Sequence, residues 1–158
     1  MKIQKFERID AVEKFATIVF TDFQDLQYQS GVLFTIDSIK DNLKSKGLLG
    51  WFLINDDNKI LGYIIGEKQR LRDGRYVYYL SYFFVVPAYR NAGLGKKMMQ
   101  NCLNHIKNIN IPFVILTCEV DSVPYKLYKN LGFIFDPIIK IDNSKYTALV
   151  YYTNENIS

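Results

Sequence analysis

The sequence predicts one α/β domain spanning residues 1–158, a central sheet flanked by helices in the order βααβββαβαββ. Three observations predict it. Apolar residues make up 49% of the chain, enough to bury one core without disulfide or metal staples. The 12 Tyr and 11 Phe fall largely in short runs with Val and Ile, which suit strands. Segments with period-2 patterning alternate with segments of helical spacing, and no repeat, linker or low-complexity tract marks a second domain.

The elements follow in order. Lys2 to Arg8 reads as a short first strand. Asp10 is placed to cap a helix running through Val12, Phe15, Ala16 and Val19. After a less regular stretch from Thr21 to Leu33, a second helix is expected over Thr35 to Lys46. It carries Ile36, Ile39 and Leu43 on one face and ends at Gly47, a residue suited to a left-handed cap. Trp51 to Ile54, the turn Asn55-Asp56-Asp57-Asn58, and Ile60 to Ile65 read as a hairpin. Beyond the turn from Arg70 to Gly74, Arg75 to Val86 is apolar on both faces, as a strand covered on each side must be, and Pro87 stops it. Leu94 to Ile109 returns to helical spacing, with Leu94, Met98, Cys102, Ile106 and Ile109 in one stripe. Phe113 to Cys118 is a buried strand, and Pro124 to Leu131 a short helix closed by Gly132. Phe133 to Ile141 and Tyr146 to Thr153 form a terminal hairpin.

Charge and composition narrow the function. The net charge of +4 is too small and too scattered to indicate a nucleic-acid binder. Met1 to Asp10 has no signal-like apolar region, and runs such as Tyr82 to Val86 are far too short to cross a bilayer. A soluble, cytoplasmic protein is expected, with no membrane partner. Cys102 and Cys118 stand apart with no CxxC spacing, and His105 is the sole histidine, so no metal site is expected.

The informative stretch runs Pro87-Ala88-Tyr89-Arg90-Asn91-Ala92-Gly93-Leu94-Gly95-Lys96-Lys97, a glycine-bearing turn between a strand and a helix. Free backbone N–H groups and the positive end of the helix dipole converge there, and glycines let phosphates approach the main chain. A Walker A loop would need Gly where Arg90 stands and Ser or Thr where Lys97 stands. The dinucleotide fingerprint would need Gly at Met98.

What the stretch does match is R-x-x-G-x-G placed after Val85-Val86-Pro87. A second block, Asp121-Ser122-Val123-Pro124-Tyr125-Lys126-Leu127-Tyr128-Lys129-Asn130-Leu131-Gly132-Phe133, keeps L-Y-x-x-x-G-F of an N-x-x-A-x-x-L-Y-x-x-x-G-F pattern. In these motifs the chain resembles the GCN5-related N-acetyltransferase (GNAT) family, from about Ile3 to Thr153. Asp121 and Pro124 replace the family's Asn and Ala. Pro124 is harmless in a first helical turn, whereas Asp121 accepts hydrogen bonds but donates none, which alters a contact to the cofactor arm.

The resemblance implies a mixed, mostly antiparallel sheet and a reaction in which acetyl passes directly from acetyl-CoA to an amine, borne by a small molecule or a protein, in a ternary complex. It implies that Arg90, with the Asn91, Ala92, Gly93, Leu94, Gly95 and Lys96 backbone, holds the pyrophosphate, with Lys96 and Lys97 as supporting charges. Val85 would pair with the pantetheine arm and polarise the thioester carbonyl, and Tyr128 would serve as general acid. Relatives often carry an acidic residue on the central strand, but Tyr76 to Val86 contains no Asp, Glu or His. The proton acceptor is therefore sought at Glu119 or through water at Ser81 or Tyr82. That absence also keeps open a non-catalytic CoA-binding sensor or scaffold of the same fold. Tyr76, Tyr78, Tyr79 and Tyr82 offer an aromatic wall for an ammonium, and Lys68, Arg70, Arg72 and Arg75 a steering patch. Acceptor-binding parts are expected in Thr21 to Leu49, and the protein is expected to be a monomer or homodimer.

Overall fold

Seven strands form one sheet in the order β1-β2-β3-β4-β5-β7-β6, described in a computed structural model that covers residues 1–24 and 35–154. The strands are β1 (Lys2–Phe6), β2 (Leu48–Ile54), β3 (Ile60–Arg70), β4 (Tyr76–Val85), β5 (Phe113–Glu119), β6 (Ile134–Phe135) and β7 (Tyr146–Tyr152). Neighbours run antiparallel except β4 and β5, which are parallel. The mixed, mostly antiparallel sheet expected from the motifs is thus present. The described α-helices are α1 (Val12–Asp22), α2 (Ile36–Leu43), α3 (Leu94–Asn108) and α4 (Val123–Leu131), with a 3-10 turn at Pro87–Tyr89.

Alternation along each strand sorts the core into two layers. Leu49, Trp51, Tyr78, Leu80, Val114, Leu116 and Leu149 face α3 and α4, where Met98, Met99, Cys102, Leu103, Ile106 and Tyr128 meet them. Tyr63, Ile65 and Tyr82 face α1 and α2, against Phe15, Ala16, Val19, Ile39 and Leu43. Further along that second face, Val77, Ile115 and Val150 pack with Leu71, Tyr79, Phe113 and Ile139. Met98, Cys102 and Ile106 of the predicted helical stripe are fully buried, and burial stabilises side chains of this size by about 1.5–3 kcal/mol each. Ile109 leaves the stripe: it is the C-terminal cap of α3 and is exposed.

Local chemistry corrects several boundaries. Asp10 does not cap α1; Ala11 holds that position without a side-chain hydrogen bond, and Asp10 accepts from Arg8 instead. Thr35 caps α2 in a reciprocal box with Ser38, and the helix ends at Lys44 rather than Gly47. Gly47 is needed for a different reason. It has no left-handed backbone, and a Cβ there would collide with the Lys68 carbonyl, against which the chain packs as Lys68 N–H donates to Gly47 O. Gly132 does take the left-handed cap foreseen for it, with φ 107°. The last hairpin is much shorter on its first side than expected, because β6 spans only Ile134–Phe135 before Asp136 turns inward to Arg75. The irregular stretch expected over Thr21 to Leu33 lies mostly outside the described residues, though α1 runs on to Asp22.

Candidate active site

The site begins with one extra residue. On β3, Ile65 and Gly66 are consecutive, yet their partners on β4 are Tyr82 and Leu80, so Ser81 is a bulge. A bulge bends its strand and increases its twist. The parallel pairing of β4 with β5 stops at Tyr79 and Ile115, just before Ser81. Beyond that point the two strands part, and their facing backbone groups are left without a ladder.

The parting opens a cleft of about 390 Å³ whose walls include Leu80, Ser81 and Phe83 from β4, Leu116, Thr117, Cys118 and Glu119 from β5, and Ser122, Pro124 and Tyr128 from the turn and α4. Phe23 closes one rim, and Ile141, Asn143 and Tyr146 another. Val85 stands at the open edge of β4. Val86 N–H donates to Leu61 O of β3, so by antiparallel alternation the N–H and C=O of Val85 point away from β3, into the gap.

The phosphate loop lies where β4 ends. Asn91 and Gly93 both take positive φ, 66° and 77°, and a Cβ on Gly93 would meet nothing within 4 Å, so the space above it is open. Gly95 is tighter, its virtual Cβ 3.1 Å from the Phe83 ring. The first bond inside α3 runs from Lys97 N–H to Gly93 O, leaving the N–H groups of Leu94, Gly95 and Lys96 without intrahelical acceptors. Gly93 supplies no side-chain cap, and no acidic residue occupies the first turn. Unclaimed donors, a positive dipole end and open space suit a pyrophosphate.

Arg90, expected to hold the pyrophosphate, also makes contacts within the protein. Its Nε donates to Val85 O at 2.7 Å, and its guanidinium lies over the Phe84 ring at 5.1 Å. Its charge also reaches Asp22, whose carboxyl is raised by burial but drawn back by the Tyr63 hydroxyl, donating at 2.9 Å, and by Arg90. Part of this side chain therefore ties the loop to the end of β4.

Tyr128 is 5% exposed and lines the cleft, packed near Phe83 and Phe133. Burial, reinforced by Cys118 and Cys102, holds its phenol well above the ordinary range, so it stays protonated. No described group takes a hydrogen bond from its hydroxyl. Cys118 sits in the same wall, its thiol pushed up to about 11 by burial, which argues against a nucleophilic thiolate. Cys102 is raised further and fully buried.

Glu119 does reach the cleft, and it is the only carboxylate among the described lining residues. Its backbone carbonyl is held by Ser122, whose Oγ donates at 2.7 Å and in turn accepts the N–H of Tyr125 to cap α4. Asp121, by contrast, occupies a left-handed turn with φ 65°, is exposed, and is absent from the described cleft walls. The four tyrosines form no single wall. Tyr78 faces α3 and donates to Leu49 O, Tyr82 faces α2, where Asn42 donates to its hydroxyl, and Tyr76 lies beneath Arg70. The basic cluster is likewise largely engaged: Arg75 pairs with Asp73 and buried Asp136, and Arg70 donates to Gly74 O.

Sequence reasoning missed Tyr146. It lies opposite Glu119 in the β5–β7 ladder, lines the cleft, and holds a buried hydroxyl with no hydrogen-bond partner. Only the register reveals this, and the sequence does not carry the register.

No described group of three or more His, Cys, Asp or Glu suits a metal ion, and no described helix is long and apolar enough to cross a membrane. A sequence model of the acetyltransferase (GNAT) family matches residues 12–133. A search of curated proteins finds no match. Among solved structures, the chain is similar to GCN5 from Tetrahymena (TM-score 0.71, 12% identity, covering 98% of this chain and 97% of that one). It is also similar to a GNAT-family acetyltransferase from Staphylococcus aureus (TM-score 0.70, 19% identity, covering 97% and 100%). A third similar structure is NAA60 from Arabidopsis thaliana in complex with acetyl-CoA (TM-score 0.66, 14% identity, covering 96% and 98%).

Proposed function

The chain belongs to the acetyltransferase (GNAT) family, and from that premise we propose that it moves acetyl from acetyl-CoA directly onto an amine held in the same cleft. Acetyl-CoA is the family's co-substrate, and the similar NAA60 structure contains it. The observation that carries the reading is the parting of β4 from β5, which sets Tyr128 and Glu119 into one cleft beside an unclaimed helix N-terminus.

The fit to acetyl-CoA rests on features of this chain. The N–H groups of Leu94, Gly95 and Lys96, with the open space at Gly93, receive the pyrophosphate. The edge of β4 at Val85 offers an N–H to the pantetheine arm or the thioester carbonyl, and a donor so aimed contributes about 3 kcal/mol. Arg90 holds the loop against that edge through Val85 O. Bound there, acetyl-CoA supplies a thioester: the amine nitrogen bonds to the acyl carbon, the carbon–sulfur bond breaks, and CoA leaves as a thiolate that takes up the proton shed by the attacking nitrogen.

Two proton positions remain. At reference values a phenol is about 2 kcal/mol too weak an acid to protonate a thiolate fully, and burial of Tyr128 widens that gap. Tyr128 therefore acts by donating a hydrogen bond to the sulfur. On the acceptor, an alkyl ammonium is deprotonated to only about one part in a few thousand at neutral pH. Glu119 takes that proton, supplying the carboxylate that β4 lacks. Its presence in the cleft favours an enzyme over a passive CoA-binding module.

The test is CoA-thiol release from acetyl-CoA with a panel of primary amines, alongside calorimetric titration of acetyl-CoA into wild type and Gly93→Val. Saturable binding lost in the variant, together with amine-dependent release lowered by Tyr128→Phe, supports the reading. A folded wild type that binds no acetyl-CoA overturns it, and binding without release for any amine leaves a sensor or scaffold.

A further inference from the structure

The two faces of the sheet divide the cleft. Strand alternation puts Cys118 on the side of α3 and α4, together with Tyr128. Glu119 is one residue on and so projects to the opposite side, that of α1 and α2. Tyr146 is its direct cross-strand partner, and directly opposed residues share a face with Cβ atoms about 5 Å apart. A carboxylate and a phenol thus stand together on the face away from Tyr128.

The Tyr146 hydroxyl is buried and makes no hydrogen bond to any described residue. A group left in that condition keeps the full penalty of its lost hydration, and native proteins rarely leave one without a partner. It belongs to a residue of the cleft wall, beside the one carboxylate among the described lining residues, with Asn143 three positions away on the same rim. The other described contributions on that side include the apolar Phe23 and Ile141 and the uncharged hydroxyl of Thr117, which alternation places on the face of Glu119.

We infer that Tyr146 and Glu119 form the seat of the acceptor's amino group, and that the acceptor is a primary amine bearing a single positive charge next to an apolar body. This rests on the acetyl-transfer reading and deepens it. The Tyr146 oxygen accepts a hydrogen bond from the amine, Glu119 faces its charge, and the nitrogen approaches from the face opposite to that on which Tyr128 meets the sulfur. One carboxylate satisfies one ammonium. A second charge a few ångströms along, as in a polyamine, would lie against Phe23 or Ile141 and lose hydration without a partner. The seat is built on β5 and β7, with Phe23 of the Thr21 to Leu49 region on its rim.

The experiment uses wild type and Tyr146→Phe with CoA present, titrated with phenethylamine and, separately, spermidine. Binding is read from the 13Cζ signals of labelled tyrosine, and thiol release from acetyl-CoA is assayed on the same preparations. The expected result is a saturable shift of the Tyr146 signal, a phenethylamine Kd and KM raised about tenfold or more in the variant, and an unchanged acetyl-CoA Kd. Thermal stability should be unchanged or higher in the variant, since no hydrogen bond is lost; a merely structural tyrosine would move stability and not KM. Equal phenethylamine affinity in both proteins overturns the seat, and spermidine binding more tightly than phenethylamine overturns the monocation. Tyr146-dependent binding without thiol release sustains the seat while refuting acetyl transfer. Release with equal KM in the two proteins does the reverse.

Discussion

The Nε of Arg90 donates to the carbonyl of Val85 at 2.7 Å, closing the phosphate loop onto the last residue of the strand from which it springs. The guanidinium is also stacked over Phe84. Arg90→Lys keeps the charge and loses the planar fork that makes both contacts. We expect it to lower unfolding free energy by about 1–2 kcal/mol, measured by urea denaturation. We also expect it to weaken acetyl-CoA binding several-fold without altering the salt dependence of that binding.

Gly93 is a conformational requirement more than a steric one. Its φ of 77° disfavours any L side chain, yet a methyl there would touch nothing. Gly93→Ala should cost about 1 kcal/mol of stability and weaken acetyl-CoA in calorimetry, because the methyl stands in the open space the phosphates need. Gly95→Ala should perturb the protein differently, by pressing on the Phe83 ring in the cleft wall.

Tyr128→Phe removes a hydroxyl that holds no intramolecular hydrogen bond. Stability should be unchanged within about 0.5 kcal/mol, while kcat for thiol release falls about a hundredfold. Because burial raises the pKa of Tyr128, the donating form persists above the usual phenol range. Activity should therefore rise with pH as the amine deprotonates and show no decline by pH 10, a profile that steady-state rates from pH 6 to 10 will check.

Stability should follow the opposite course at high pH. Tyr63, Tyr78, Tyr79, Tyr82 and Tyr128 are all shifted upward, first by burial. Their folded-state pKa values lie above the unfolded value of about 10, so unfolding releases protons once the pH exceeds that value. Their contribution is complete below about pH 10 and is lost as pH rises toward the folded values. Melting temperature should be flat through pH 9 and fall steeply beyond 10.

Asp136 is 1% exposed and bidentate to Arg75 at 3.1 and 2.9 Å. Asp136→Ala leaves a half-paired guanidinium among buried groups and should cost about 3 kcal/mol or more in urea unfolding. A change below 1 kcal/mol would show that Asp73 alone satisfies Arg75.

Much of this was legible because it rests on local chemistry. Pro87 ends β4, Gly132 closes α4 in a left-handed cap, and the spacing of Gly93 and Gly95 after Val85 marks the loop. These depend on φ limits and missing donors that a residue carries anywhere. Gly47 misled because its purpose is the approach of Lys68 from another strand, which no local rule contains. The contacts of Arg90 to Val85 O and Phe84 were not legible because they are set by how the loop doubles back. Tyr146 escaped notice for the same reason: its meaning comes from being opposite Glu119 and from having no partner of its own.

Ser81 makes the length of β4 a matter of odd and even. Before it, Tyr78 and Leu80 face α3; after it, Phe83 and Val85 do, and Tyr82 and Phe84 turn to α1 and α2. Pairing that one residue as an ordinary ladder position would invert the outer half of the strand, sending Tyr82 and Phe84 into the wrong layer; removing it would keep both in place but straighten β4 alongside β5. The opening in this sheet is therefore written as a miscount of one, and a chain with the same loop but an unbroken count would have nowhere to put its ligand.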